Sequence, residues 1–436
     1  MSVSVSYDAA SDRAVVTRPE RVEGSPEVPP DKSIAVRSAL FAAMGNGTSR
    51  LINYPGSADP QSTLSCLRQL GVDIEDDGDE LLVHGRGLEG FRAPDRALDC
   101  GNSGTAMRLL CGLLAGRPFG SLLQGDASLN SRPMERIALP LREMGARVHL
   151  TSGHPPIRID GGSELHGIMY RLPVPSAQVK SCILLAGLQA EGRTTVVETS
   201  PSRDHTERML GLATIEKDSE RHVLVEQGME IPARTWTVPC DFSAASFFMV
   251  AGALARSGLL RMERVGLNPS RSALLGVLQA MGAQIEVSNE TSHGGEPVGD
   301  LLVRPSELSG VRVDGRLIPI LIDEIPVLAV AAAQAEGRTE IRDARELRVK
   351  ETDRIRAMVD NLRLLGARVE EFDDGLAVEG PVSLRGAEVR SYDDHRIAMA
   401  MGVAGLSADE ETVIEGASCA AVSFPRFWET LADVAS

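Results

Sequence analysis

The chain has 436 residues, with 45 Lys and Arg against 61 Asp and Glu and a formal net charge of −16. That charge disfavours nucleic acid or an anionic membrane as the main partner, and the length exceeds one core and calls for at least two domains. Hydrophobic content of 43% and charged content of 24% are ordinary for a soluble globular protein, while 42 Gly and 3% aromatics point to tight turns and Ala-rich helices.

Met1 to Glu20 are polar and read neither as a secretory signal nor as a transit peptide. No uncharged apolar run reaches about 18 residues, so no membrane span is expected and a cytoplasmic location is predicted. Cys66, Cys100, Cys111, Cys182, Cys240 and Cys419 show no C-x-x-C spacing, and several lie in apolar runs. They read as buried, reduced thiols. The eight His form no metal-ligand pattern, and no metal is expected.

Along the chain one unit repeats: a polar or charged start, an Ala/Leu-rich helix, a Gly, then a short β-branched strand. Copies start at Lys32, Asn102, Ser176, Asp241, Asp323 and Asp394. Between them a second helix ends in an apolar residue plus Gly, at Leu70-Gly71, Met144-Gly145, Leu210-Gly211, Met281-Gly282 and Leu365-Gly366, and is followed by a hairpin. Five such copies against six starts leave the last unit incomplete, and the N-terminal strand at Ala14 to Thr17 is the natural completion. Six units divide into two domains of three, residues 31–237 and residues 1–30 with 238–436. The Pro26–Pro30 run is an extended crossing between them. Two crossings make a hinge, which suggests closure around a ligand.

The helix starts are rich in groups that bind anions: Lys32, Ser33 and Arg37; Asn102, Gly104 and Arg108; Ser176 and Gln178; Asp394, His395 and Arg396. A helix N-terminus offers unpaired N–H groups and partial positive charge, although Ser, Asn and Asp also serve simply as caps. Gly104 permits close approach of a ligand to the backbone. Arg132 precedes Pro133, read as the first residue of a helix, and suits bidentate capture of phosphate or carboxylate. Arg348–Arg354 reads R-V-K-E-T-D-R and is taken as a helix start with Lys350 and Arg354 on one face and Glu351 beside them. Pseudo-symmetry would direct these starts, with Asp323, Glu351 and Asp394, into one interdomain cleft.

The stretches D-K-S with Arg37, G-N-S-G-T-A-M-R at Gly101–Arg108, S-R-P-M at Ser131–Met134, S-A-Q-V-K-S at Ser176–Ser181, D-H-T-E at Asp204–Glu207, Arg348–Arg354 and D-D-H-R at Asp393–Arg396 resemble, in order, the 5-enolpyruvylshikimate-3-phosphate synthase family. The resemblance implies an α/β (α+β) fold, a two-domain inside-out barrel of six βαβαββ repeats, three per domain. It implies enolpyruvyl transfer from phosphoenolpyruvate to the 5-hydroxyl of shikimate 3-phosphate, by a monomer without metal or organic cofactor. By resemblance Asp323, Glu351 and Lys32 move protons. Phosphoenolpyruvate would be held by Lys32, Gly104, Arg132, Gln178, Arg354 and Arg396. Shikimate 3-phosphate would be held by Lys32, Ser33, Arg37, Ser176, Ala177, Gln178, Ser202, Asp323, Glu346 and Lys350. The sister sugar-nucleotide enolpyruvyl transferases are less similar, since they carry a Cys in a mobile loop where this chain has none.

The chain also departs from the family pattern. Val422 stands where well-known members have Lys, Glu346 replaces Asn, Ala177 replaces Ser, His205 replaces Tyr and Leu109 replaces Pro. Gly104 is retained, so glyphosate is expected to compete with phosphoenolpyruvate.

Overall fold

The six Ala/Leu-rich segments form helices buried on nearly every side: Lys32–Met44, Gly104–Leu114, Ala177–Gly187, Phe242–Leu254, Ile325–Gln334 and His395–Gly405. Twelve of the thirteen residues in Phe242–Leu254 are buried, so this helix has no solvent face. Local caps set most of the starts. Asp31 accepts from Ile34 N at 2.9 Å, Asp241 from Ser243 N at 2.7 Å and Asp394 from Arg396 N at 2.9 Å. Two starts shift from the expected residue. Ser103, not Asn102, caps Gly104–Leu114, and Glu324, not Asp323, occupies the cap position before Ile325–Gln334.

The computed structural model describes residues 4–78 and 80–436. It divides into two units: one of residues 4–29, Cys240–Thr291 and Pro297–Ser436, the other of Pro30–Pro239 with Ser292–Glu296. The hairpin tip Ser292–Glu296 is an excursion that the sequence reading does not contain.

Each unit carries three small sheets. In the unit beginning at Pro30 the pattern is clearest in residues 169–226. Met169–Arg171 runs parallel to Arg193–Glu198, which pairs antiparallel with Glu220–Glu226, which in turn pairs with Ala213–Lys217. The same order recurs in the other sheets, apart from one of three strands. A parallel pair of successive strands needs a crossover, which the buried helix supplies; the exception is Asn46–Ile52, whose parallel partner Thr235–Thr237 comes from the end of its unit. In five of the six repeats a second helix ends where the chain turns into the outer hairpin. Gly211 closes one of these helices at φ 65, ψ 36, a left-handed position that other residues adopt at a cost. The sixth sheet is completed from the N-terminus by a hairpin rather than a single strand: Val5–Asp8 pairs with Arg13–Val16, and Ala14 lies opposite Ile414. With helices inside and sheets outside, the architecture is a two-domain inside-out α/β fold.

Each unit has its own core. Leu40, Phe41, Leu110, Ile183 and Leu184 lie in one, and Phe247, Phe248, Leu328, Met399 and Phe427 in the other. Among the described residues no single helix is long and apolar enough to cross a membrane.

Five of the cysteines are buried and Cys419 is half-buried. Burial pushes the Cys111 thiol up to about 12 and those of Cys240 and Cys419 to about 11. Since the thiolate is the reactive form, a thiol reagent at pH 8 is expected to leave the native protein almost unmodified and to titrate all six cysteines in denaturant. Rapid native reaction of two or more thiols would contradict this burial pattern.

Candidate active site

In the unit beginning at Pro30, three helix starts carry the predicted residues. Lys32 is the first residue of its helix, and its Nζ lies 3.5 Å from Asp59 Oδ2. Arg37 follows one turn later and is fully buried. It donates from Nη1 to the Ser33 carbonyl at 2.9 Å, from Nε to Thr206 Oγ1 at 2.9 Å and from Nη2 to Ser181 Oγ at 3.1 Å. These partners are uncharged. Burial pushes the Arg37 guanidinium down to about 10 and Arg203 adds to the fall, against the opposing pull of Glu207, Asp31 and Glu296.

At the second start, Arg108 donates to Gln178 Oε1, and Gln178 Nε2 donates to Thr105 Oγ1 at 2.8 Å. Arg132 donates to Asn102 Oδ1 at 2.6 Å. Burial, followed by the like charges of Arg136 and Arg132, pushes Arg108 down to about 10. Cations that raise one another's energy while held by amide oxygens make a site that an anion would relieve. Gly104 lies against this cluster. A Cβ there would meet Arg108 Nη1 at 2.8 Å and Arg132 Nη1 at 3.2 Å. Pro133 is not a helix start as expected. The helix begins at Glu135, after the short helix Ala127–Asn130 capped by Asp126, and Arg132 lies in the turn between them.

At the third start, Ser176 caps the helix, accepting from Val179 N at 3.4 Å, and Ala177 and Gln178 are its first residues. Ser202 donates to Glu198 Oε1.

In the other unit, Arg354 is the hub. Its side chain is 1% exposed, with Nε 2.7 Å from Asp394 Oδ2, Nη2 2.6 Å from Glu351 Oε2 and Nη1 3.4 Å from Asp323 Oδ1. Arg396 adds a second cation to Asp323, with Nε at 3.6 Å from Oδ1, and Nη1 donates to the Asp323 carbonyl at 3.1 Å. The Arg348–Arg354 stretch is not a continuous helix start. Arg345–Val349 is a 3₁₀ turn, Lys350 is extended at φ −78, ψ −154, and the helix Arg354–Leu364 begins only after Asp353. Asp353 accepts from Arg356 N at 3.0 Å and pairs with Arg348 at 2.7 Å. A capped start at Asp353 excludes Lys350 from the helix, so Lys350 and Arg354 share no helical face. Lys350 instead donates to Glu346 Oε1 at 2.6 Å. Val422 is exposed at the end of the 3₁₀ segment Ala417–Val422.

Three residues near these groups drew no role from the sequence: Arg136, Arg203 just ahead of D-H-T-E, and the buried Lys180, which is the lysine of S-A-Q-V-K-S. Their relevance rests on contacts distant in sequence. Among the described residues one group has metal-ligand geometry, the exposed Asp73 and Glu75 with His84, all donor atoms within 4.8 Å. It lies on the outer hairpin and includes none of the anion-binding residues above.

The family model described as EPSP synthase (3-phosphoshikimate 1-carboxyvinyltransferase) matches residues 16–431. A 3-phosphoshikimate 1-carboxyvinyltransferase of Salinibacter ruber is 61% identical over 417 residues, 95% of this chain and 97% of that protein. One from Desulfitobacterium hafniense is 50% identical over 418 residues, covering 95% and 96%. The solved structure of EPSP synthase from Acinetobacter baumannii superposes with a TM-score of 0.91 at 42% identity, covering 97% of this chain and 98% of that one. With the family model spanning nearly the whole length and relatives this similar, the chain belongs to the EPSP synthase family.

Proposed function

We propose that this protein is a 3-phosphoshikimate 1-carboxyvinyltransferase: it transfers the enolpyruvyl group of phosphoenolpyruvate to the 5-hydroxyl of shikimate 3-phosphate and releases phosphate. The observation that carries the reading is the cluster of Gly104, Arg108, Arg132 and Gln178, in which the two arginines make no carboxylate contact among the described residues and the helix start lacks a Cβ. Membership of the EPSP synthase family supplies the reaction. The substrates bring two phosphates and a carboxylate, which call for several Arg and Lys in an otherwise acidic protein.

In this reading the reaction is an addition followed by an elimination. Asp323 takes the proton of the attacking 5-hydroxyl, and Glu351 with Lys32 delivers a proton to the methylene carbon, giving a tetrahedral intermediate. The elimination removes one of the three protons of the resulting methyl group while phosphate leaves, so the acid of the first step serves as the base of the second. Lys32, Gly104, Arg132, Gln178, Arg354 and Arg396 hold phosphoenolpyruvate. Lys32, Ser33, Arg37, Ser176, Ala177, Gln178, Ser202, Asp323, Glu346 and Lys350 hold the acceptor. The protein is read as a cytoplasmic monomer that works without metal or organic cofactor.

The test is phosphate release from phosphoenolpyruvate with shikimate 3-phosphate supplied, after dialysis against a chelator. Release that needs both substrates and survives the chelator supports the reading. No release from folded protein overturns it, and release with a UDP-sugar acceptor instead would assign the sister reaction.

Gly104→Ala supplies a finer prediction. The added methyl displaces the guanidinium ends of Arg108 and Arg132, which are flexible, so folding is expected to be retained. The KM for phosphoenolpyruvate should rise about tenfold, a loss of about 1.4 kcal/mol of binding. Glyphosate should compete with phosphoenolpyruvate in the native protein and bind the variant more weakly. An unchanged KM, or native inhibition that is not competitive, would show that this cluster does not hold phosphoenolpyruvate.

A further inference from the structure

Behind the Arg37 contacts lies a second layer of charge. Lys180 is wholly buried on the helix Ala177–Gly187, its Nζ 2.8 Å from Glu198 Oε2 and 2.6 Å from Glu207 Oε1. Both carboxylate side chains are also buried. Glu198 ends the strand Arg193–Glu198, and Glu207 lies on the helix His205–Leu210. One ammonium therefore ties together three segments consecutive in the chain. Those segments, with the loop between them, carry Ser176, Ala177, Gln178, Ser202 and Thr206.

The triad reaches the proposed acceptor ligands in two directions. The remaining oxygen of Glu198, Oε1, accepts from Ser202 Oγ. On the other side, Ser181 and Thr206, the chain neighbours of Lys180 and Glu207, hold Arg37 and bond to each other at 2.7 Å. Arg37 touches only uncharged oxygens, and Glu207 is the foremost of the carboxylates that favour its charge. The four buried ions sum to zero: Lys180 and Arg37 against Glu198 and Glu207. A buried ammonium between two carboxylates adds little stability over a well-packed apolar replacement, because each ion must be stripped of water. Stability alone therefore does not account for it.

We propose that Lys180, Glu198 and Glu207 form a positioning device for the phosphate monoester of the acceptor. Glu198 aims the Ser202 hydroxyl, and Glu207 supplies the counter-charge of Arg37. Lys180 fixes both carboxylates and, with Arg37, cancels the negative charge they would otherwise present to a bound phosphate. The inference rests on the assignment of Arg37 and Ser202 to the acceptor made above.

The test compares the full-length protein with Lys180→Met, Glu198→Gln and the charge-balanced double variant Lys180→Met/Glu207→Gln. Kinetics are measured with shikimate 3-phosphate, and shikimate is used as an unphosphorylated competitor. Wild-type turnover is established first, so that its absence is charged to the proposed function and not to the triad. Glu198→Gln should raise the KM for shikimate 3-phosphate about tenfold, the scale of one weakened charge-assisted contact, with kcat and the KM for phosphoenolpyruvate within about twofold. Lys180→Met should raise it further, and the double variant should recover most of that loss. Shikimate inhibition should stay unchanged throughout, since it has no phosphate to lose. If Lys180→Met does not fold, Glu198→Gln decides alone. An unchanged acceptor KM in Glu198→Gln, an equal loss for both substrates, or an equal loss of shikimate binding would overturn the proposal.

Discussion

Arg354→Met is expected to lower the stability of the folded protein by about 3–5 kcal/mol and to bring phosphate release to background. Arg354 is 1% exposed and Asp394 is not exposed at all, and they meet at 2.7 Å. The other oxygen of Asp394 caps the helix His395–Gly405. Removing the guanidinium leaves this carboxylate buried without its cation, which costs more than the pair itself contributes. Burial acts to lower the pKa of Arg354, but Asp394, Glu351 and Asp323 together leave it raised, so this cation stays charged across the working range. The double variant Arg354→Met/Asp394→Asn separates the two consequences. Asn still caps a helix, and two neutral side chains need no mutual compensation, so urea midpoints should return toward wild type. Activity should not return, because the cation proposed to hold phosphoenolpyruvate is still missing. A single variant within about 1 kcal/mol of wild type would mean that Asp394 does not depend on Arg354. An active double variant would remove Arg354 from the reaction.

The difference between what sequence and structure reveal follows the range of each interaction. Helix starts at Lys32, Ala177, Phe242 and His395 were legible because an N-cap and its N–H partner lie two or three residues apart. The need for an N-terminal strand to finish the sixth sheet was legible from counting repeats, although the hairpin Val5–Val16 contains two strands where one is expected. The start at Arg348–Arg354 was misread because charge spacing suits a helix from Lys350 onward, and only the cap at Asp353 decides otherwise. The long-range partners were not legible at all. Arg37 reaches Thr206 across 169 positions, and Arg354 reaches Asp394 across 40. Lys180 is the clearest case. A lysine in an Ala/Leu-rich helix reads as a surface residue whose stem lies over apolar neighbours, and nothing local reveals two buried carboxylates brought to it by other segments. Family motifs supplied candidate residues, but the contacts show which of them are held in common: Asp323, Glu351, Arg354 and Arg396 in one unit, and Gly104, Arg108, Arg132 and Gln178 in the other.

Asp323→Asn and Glu351→Gln are each expected to lower kcat by about 10² to 10⁴, the usual contribution of a positioned acid or base. The two carboxylates differ in setting although both touch Arg354. Asp323 is 16% exposed on its side chain and is approached by Arg354 at 3.4 Å and Arg396 at 3.6 Å, which orient Oδ1 as an acceptor just ahead of the helix Ile325–Gln334. An amide at this position keeps the shape but cannot take the hydroxyl proton. Glu351 is 48% exposed and held at a single point by Arg354 Nη2 at 2.6 Å. It lies outside any helix, on the segment between the 3₁₀ turn and Asp353, where its side chain is free to exchange that contact when an anion engages Arg354. That exposure and single contact suit the role proposed for Glu351 in both the addition and the elimination. Solvent deuterium distinguishes the roles. Addition places a solvent-derived proton on the methylene carbon, and elimination removes one of three, so native turnover in D₂O should carry deuterium into that position. Glu351→Gln should suppress this incorporation while acceptor affinity, read by direct titration, stays near wild type. Turnover within about threefold of wild type in either variant would exclude that carboxylate as acid or base, and undiminished deuterium incorporation in Glu351→Gln would assign the methylene proton to Lys32 alone.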